Sequence, residues 1–176
     1  MTLQSITHSI QSVGFLTDIR ESALVYPVIM ATHLTCIAVF GGLILMTDLR
    51  LLGVVMKNYP VADVIRQLRP WKWLGFIIMV AMGLLLGTSE AEKYSGNPYF
   101  WIKMSLLFLV AVHALVFWSV YHNPEEIDRA PVIPGRAKAA GLLSLVLWMG
   151  IVCAGRWIGY YEPKDKNNTR QAVVIP

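Results

Sequence analysis

Charged residues are scarce in this sequence. Only 15% of the 176 residues are Asp, Glu, Lys or Arg, whereas 56% are hydrophobic; soluble domains carry about 25% charge. The first twenty residues also lack the apolar run of a signal peptide, so we expect the first membrane helix to act as its own insertion signal. The composition excludes an ordinary soluble domain and predicts a single integral membrane domain.

Cysteines and catalytic motifs are also sparse. Cys36 and Cys153 lie in apolar runs without CxxC or zinc-type spacing, which favours simple packing roles for both. The sequence has no GxSxG, HExxH or P-loop motif and no paired carboxylates within an apolar stretch. We therefore expect an electron-transfer or accessory protein rather than a stand-alone enzyme.

Four apolar stretches predict the fold, because each is long enough to cross a bilayer core of about 30 Å. They are residues 22–47, 73–89, 99–122 and 139–161. Residues 2–20 place apolar side chains at helical spacing, which predicts an amphipathic helix in the membrane interface. Val61 to Leu68 reads as a short surface helix stopped by Pro70, and residues 162–176 form a polar tail. The prediction is an all-α, single-domain, four-helix membrane bundle.

Basic residues are concentrated in the connections between spans one and two and between spans three and four. They are Arg50, Lys57, Arg66, Arg69, Lys72, Arg129, Arg136 and Lys138. The positive-inside rule then places both termini outside, in a bacterial cytoplasmic membrane. The same rule accounts for the net charge of +4 without a nucleic-acid partner. Asp48 and Arg50 close the first span and are expected to pin its end.

Two histidines, His33 and His113, fall inside predicted spans. Titratable groups are costly in hydrocarbon, so they face the bundle interior and often mark function. Spans one and three run in the same direction, so the two imidazoles can face each other and supply both axial ligands of one b-type haem. Arg156, near the outer end of the fourth span, would anchor a propionate, with Lys103 or Arg20 as second choices.

Other interpretations of the same residues stay open. An intramembrane histidine can hydrogen-bond a nearby hydroxyl or carbonyl, or relay a proton. His33 lies roughly 10 Å inside Tyr26 and His113 roughly 15 Å inside Lys103, a mismatch that a helix tilt of around 20° absorbs. Arg156 can instead reach lipid headgroups.

Copper is a further alternative, since thioethers and thiols are soft ligands. The candidate side chains are Met30, Cys36, Met46, Met79 and Met82. They form no repeated methionine motif, so core packing accounts for them better.

Several short motifs carry a family resemblance over nearly the whole chain. They are Arg20-Glu21-Ser22, Tyr26-Pro27, His33, Asp48-Leu49-Arg50-Leu51-Leu52-Gly53, Pro70-Trp71, Ile102-Lys103, Gly155-Arg156 and Tyr160. With these motifs the chain resembles an uncharacterised group of short bacterial four-helix membrane proteins, which implies a fold but no established activity.

A second resemblance is looser. The first span has a histidine ahead of Gly41-Gly42 and ends with an acidic and a basic residue. In this pattern the chain is similar to copper-resistance D-type proteins and b561-type haem cytochromes. The b561-type pattern pairs histidines on more than two spans, and spans two and four have none here, so the resemblance implies one haem at most.

Together these features predict a membrane protein that binds one haem b and transfers electrons between the quinone pool and an external partner. One alternative is a haem-free accessory subunit that packs through its glycines against a larger membrane complex. Another is a protein related to metal-ion transport.

Overall fold

The computed structural model describes residues 3–161, apart from the side chains of residues 3, 4, 10 and 11, and within that range every regular element is a helix. The helices are α1 (Leu3–Gln11), α2 (Gly14–Glu21), α3 (Val25–Leu51), α4 (Val61–Ser89), α5 (Ala91–Ser95), α6 (Pro98–Val116), α7 (Trp118–His122), α8 (Glu125–Asp128) and α9 (Gly135–Ile158). The predicted polar tail lies outside the described residues.

Four of these helices, α3, α4, α6 and α9, are long and apolar enough to cross a membrane. The chain is therefore a multi-pass membrane protein, and the predicted all-α four-span fold is confirmed. The expected N-terminal amphipathic helix consists of two short helices, α1 and α2, separated at residues 12–13.

The second span differs most from its prediction. A separate surface helix ending at Pro70 was expected, but α4 runs without a break from Val61 through Pro70 to Ser89, so that prediction is wrong. Spanning helices tolerate proline where neighbouring groups satisfy the freed backbone. The start of α4 is also anchored from outside, because the Asp128 carboxylate accepts hydrogen bonds from the backbone N–H of Val61 (2.8 Å) and Ala62 (2.9 Å).

The third span is shorter than expected. Helix α6 ends at Val116, and Phe117 (φ −101°, ψ 22°) separates it from α7. This end is held from the fourth span, since Arg136 donates a hydrogen bond to the Val116 carbonyl at 3.0 Å. At the other end, the Asn97 side chain caps α6 by accepting a hydrogen bond from the N–H of Tyr99.

The four long helices pack as an open arc. Helix α3 packs against both α4 and α9, and α6 packs mainly against α9. The central α3–α9 contact is very close, since a Cβ at Gly141 would lie only 2.9 Å from the Asp48 carbonyl oxygen. We call the end with α1, α2 and α5 the terminal end, and the end with residues 52–60, α7 and α8 the basic end. Helices α4 and α6 stand at the two sides of the arc and leave a cleft between them.

Candidate functional site

A cavity of about 400 Å³ occupies the cleft between α4 and α6, in the basic half of the bundle. Its lining comes from α3, α4, α6, α7 and α9, and includes apolar walls and a polar floor. The lining residues Trp73, Phe76 and Trp118 are exposed on the outer surface. The cavity therefore opens sideways, between α4 and α6, on the surface that faces lipid in a membrane.

Aromatic rings form the wall nearest the middle of the bundle. Phe40 is buried, and its ring centroid lies 5.2 Å from that of Trp148 and 5.9 Å from that of Phe76. Trp73 meets Phe76 edge-on with centroids 6.0 Å apart. Mutual contacts of this kind are favourable beyond their buried area and hold the rings in place. They give the cavity a firm apolar surface.

The polar floor contains an acid and a base. Asp48 and Thr47 are each only 1% exposed. Lys72 Nζ donates a hydrogen bond to Thr47 Oγ1 at 3.2 Å, and Thr47 Oγ1 donates to the Leu43 carbonyl at 2.9 Å. Asp48 and Lys72 interact electrostatically, but within the described residues no ion pair of 4.0 Å or less joins them. The floor therefore presents the Asp48 carboxyl group and the Lys72 amino group near each other without a direct ion pair between them.

Ser144 and Tyr121 extend this floor. The Ser144 side chain lies close enough to the Asp48 carboxyl and to the Tyr121 phenol to interact with both. Tyr121 belongs to α7, outside the spans, where burial first and the nearby Asp48 second raise its pKa, so its phenol keeps its proton at neutral pH. Arg69 donates to the Tyr121 carbonyl oxygen at 2.7 Å, which ties α4 to α7 and closes the cavity at the basic end.

His113 borders the same cavity. Its side chain is buried, with only 7% of the residue exposed, and its Nε2 lies 3.0 Å from the Ala140 carbonyl oxygen. A carbonyl only accepts, so Nε2 carries the proton and donates, which leaves Nδ1 as the acceptor of the ring. The ring also contacts Phe117, with centroids 4.9 Å apart. One of the two predicted histidines therefore lies at the cavity.

His33 lies elsewhere. Its Nδ1 is 3.0 Å from the Met79 carbonyl of α4, and its ring rests on Gly83, where a Cβ would lie 2.9 Å from His33 Cε1. Counted along their helices from the terminal end at 1.5 Å per residue, His33 is about 12 Å deep and His113 about 22 Å deep. The two imidazoles lie near carbonyls of different helices, His33 at α4 and His113 at α9, and no contact between the two rings is present among the described residues. Ligation by both stays a prediction.

The predicted propionate anchors are dispersed at the terminal end. Arg156 is exposed, donates to the Tyr160 hydroxyl and lies 4.6 Å from the centre of that ring. Lys103 is partly buried and close enough to His33 for an electrostatic interaction. Arg20 borders a separate polar cavity of about 300 Å³. None of these three cations lines the cavity between α4 and α6.

Sequence reasoning missed Asp48 and Lys72 as cavity residues, treating Asp48 as a helix-end residue and Lys72 as part of a basic loop. A usable signal was present. Asp48 follows Phe40 and Ile44 at intervals of four residues, and Lys72 precedes Phe76 by four, so each of the two residues shares a helical face with apolar side chains. Arg50 does pin the helix end as expected, by donating from Nε (3.0 Å) and from its terminal nitrogen (2.7 Å) to the Tyr59 carbonyl.

These features define a class, namely a four-span membrane protein with a side-opening cavity whose floor is charged. Residues 13–161 match the model of a family of unknown function, DUF6644, and the chain belongs to that family. No curated protein and no solved structure matches it. The looser resemblance to copper-resistance D-type and b561-type proteins finds no support in these comparisons.

Proposed function

We propose that this protein binds a quinone or quinol, taken from the lipid phase, in the cavity between α4 and α6. The observation that carries the proposal is the combination of aromatic walls with the buried carboxyl group of Asp48 and the partly buried amino group of Lys72 at the floor. A volume of about 400 Å³ lies within the range of small-molecule sites, which are mostly apolar with a few placed polar groups. A quinone headgroup is a planar ring with oxygen atoms at its edge, and its isoprenoid tail is at home in lipid.

The arrangement assigns a role to each part of the cavity. Phe40, Phe76 and Trp148 would pack against the ring, and Lys72 would donate a hydrogen bond to a ring oxygen. The sideways opening would let the tail remain between α4 and α6 in contact with lipid. This role is consistent with membrane electron transport, with the cavity as the place where a quinone is held.

The direct test is binding of a short-tailed benzoquinone to the purified full chain in lipid nanodiscs. Quinones quench tryptophan fluorescence at short range, and three of the six tryptophans, Trp73, Trp118 and Trp148, line the cavity. We expect saturable quenching. Absence of saturable quenching would refute the proposal.

A pair of variants on α6 localises the binding. Ala114 lines the cavity, whereas Ala111 is exposed on the same helix and does not line it. Ala114→Phe should fill the cavity and weaken quinone binding by about tenfold or more, while Ala111→Phe should leave it unchanged. Equal affinities of the two variants would show that the quinone binds somewhere else.

Haem b as a redox partner of this site stays a prediction from the sequence. Reduced-minus-oxidised absorbance spectra of the purified protein test it, with His33→Ala and His113→Ala as separate variants. A Soret band that either substitution removes would support haem ligation. A wild-type spectrum without a Soret band would refute the haem prediction. In that case, partners that co-purify in fixed stoichiometry would favour an accessory role in a larger membrane complex.

The orientation is part of the proposal as well. The basic end would face the cytoplasm of a bacterium, because Arg50, Lys57 and Arg129 lie at this end beside the spans. Lys57→Cys should react with a membrane-impermeant thiol reagent in inverted vesicles but not in intact cells. The reverse pattern would overturn the assignment.

A further inference from the structure

The Asp48 carboxyl group is incompletely satisfied. It is 1% exposed and lines the cavity, and the Ser144 side chain lies beside it. Its Oδ2 atom has no hydrogen-bond partner among the described residues. Buried polar atoms are nearly always paired, so an orphan next to a cavity calls for an explanation.

The neighbouring Lys72 has donors to spare. An ammonium group has three N–H bonds, and one of them donates a hydrogen bond to Thr47 Oγ1. A ligand atom placed between Asp48 and Lys72 would therefore meet an acceptor on one side and a donor on the other.

We infer that the cavity binds the reduced, hydroxyl-bearing hydroquinone in preference to the quinone, with Asp48 as the residue that sets this specificity. The inference rests on the proposed function and names which redox form the site takes. With Asp48 ionised and Lys72 protonated, a hydroquinone hydroxyl donates to the carboxylate and accepts from the ammonium group at once, whereas a quinone carbonyl only accepts and leaves the carboxylate orphaned. The carboxyl torsion is broad and nearly twofold, so either oxygen can turn towards the ligand.

The size of the preference follows from the hydrogen bond to Asp48 that the hydroquinone makes and the quinone cannot. A hydrogen bond to a charged group changes an equilibrium constant by about 10- to 100-fold. Wild-type protein should therefore bind a hydroquinone at least about tenfold more tightly than the quinone with the same ring and tail. Both forms would be measured by calorimetry with the full chain in nanodiscs, under argon and at one fixed pH.

Two substitutions in the floor should have different effects. Asp48→Leu removes the acceptor, so the hydroquinone should lose its advantage while quinone affinity is kept. Lys72→Met removes a donor that both forms use, so the affinities of both forms should fall. Asp63→Asn, at an exposed position in the first turn of α4, is the control and should leave the ratio unchanged.

The outcomes separate this inference from the function on which it rests. If neither form binds saturably, both fail. If wild-type protein binds the quinone as tightly as the hydroquinone, or if Asp48→Leu keeps the full preference, the inference fails and the quinone site stands. The comparison of the two forms on wild-type protein decides the matter even if Asp48→Leu does not fold.

Discussion

The long-range cap on α4 provides the sharpest prediction about stability. In the fold, both oxygens of Asp128 accept backbone hydrogen bonds, from Val61 at 2.8 Å and from Ala62 at 2.9 Å. The two donors belong to residues that are only 1% and 5% exposed. Asp128→Ala would leave two N–H groups of the first helical turn without their acceptor.

The magnitude can be worked from these contacts. Replacing a capping side chain by alanine costs about 0.5–2 kcal/mol, and loss of a carboxylate from a helix N-terminus removes a further 0.3–1 kcal/mol or so. We expect the free energy of unfolding to fall by about 2 kcal/mol. In a chain of this size the melting temperature would then drop by roughly 4–8 °C. Asp128→Asn, which keeps one acceptor oxygen, should lose less.

Unfolding in detergent, followed by circular dichroism, measures the effect. Glu126→Ala is the matched control because Glu126 is an exposed acidic residue of the same short helix, α8. It should stay within about 0.5 kcal/mol of wild type, as surface substitutions usually do. If Asp128→Ala is no less stable than Glu126→Ala, the cap does not hold α4 in the way the hydrogen bonds indicate.

Three further predictions concern other parts of the fold. Gly141→Ala should destabilise the protein by about 1–3 kcal/mol, because the new Cβ would lie 2.9 Å from the Asp48 carbonyl oxygen. In the control Gly87→Ala, the new Cβ meets nothing within 4 Å, so this variant should unfold like wild type. Equal melting temperatures of the two variants would contradict the close α3–α9 packing. Gly53→Ala should cost about 1 kcal/mol in the same assay, since Gly53 has φ +75°, and an unchanged midpoint would refute this. Because the pKa of Tyr121 is raised above its ordinary 10.0, the contribution of Tyr121 to the free energy of unfolding is full below about pH 10 and is lost as pH rises through the folded-state pKa. When unfolding is measured between about pH 9 and about pH 12, Tyr121→Phe should therefore lose less stability than wild type. Identical pH profiles of the two proteins would contradict the raised pKa.

The four spans could be predicted because hydrophobic length alone decides them. The union of the expected helix at Val61 with the second span could not, because the Asp128 carboxylate that anchors the start of α4 lies 67 residues further along the chain from Val61. Local sequence shows only Pro70, which reads as a stop signal. The early end of α6 has a similar cause, since Arg136 reaches back from the next span to the Val116 carbonyl.

The candidate site could also be predicted only in part from the sequence. Sequence located His113 in the interior correctly, but it could not say that its ring donates to the Ala140 carbonyl of α9 while His33 pairs with Met79 of α4. Which helices become neighbours depends on packing, and here α3 and α6 are separated by the order of the arc. Two histidines on parallel spans therefore do not imply a shared ligand.

The order of the helices has a mechanical consequence. Helices α3 and α9 meet closely at Gly141 and form the centre of the arc. Helix α4 packs on α3, helix α6 packs on α9, and at the basic end Arg69 ties α4 to Tyr121 of α7. A small outward tilt of α6 would widen the lateral gap without disturbing the more extensive contact between α3 and α4. A large molecule from the lipid phase could then enter or leave through the movement of one helix, while the other helices keep their positions.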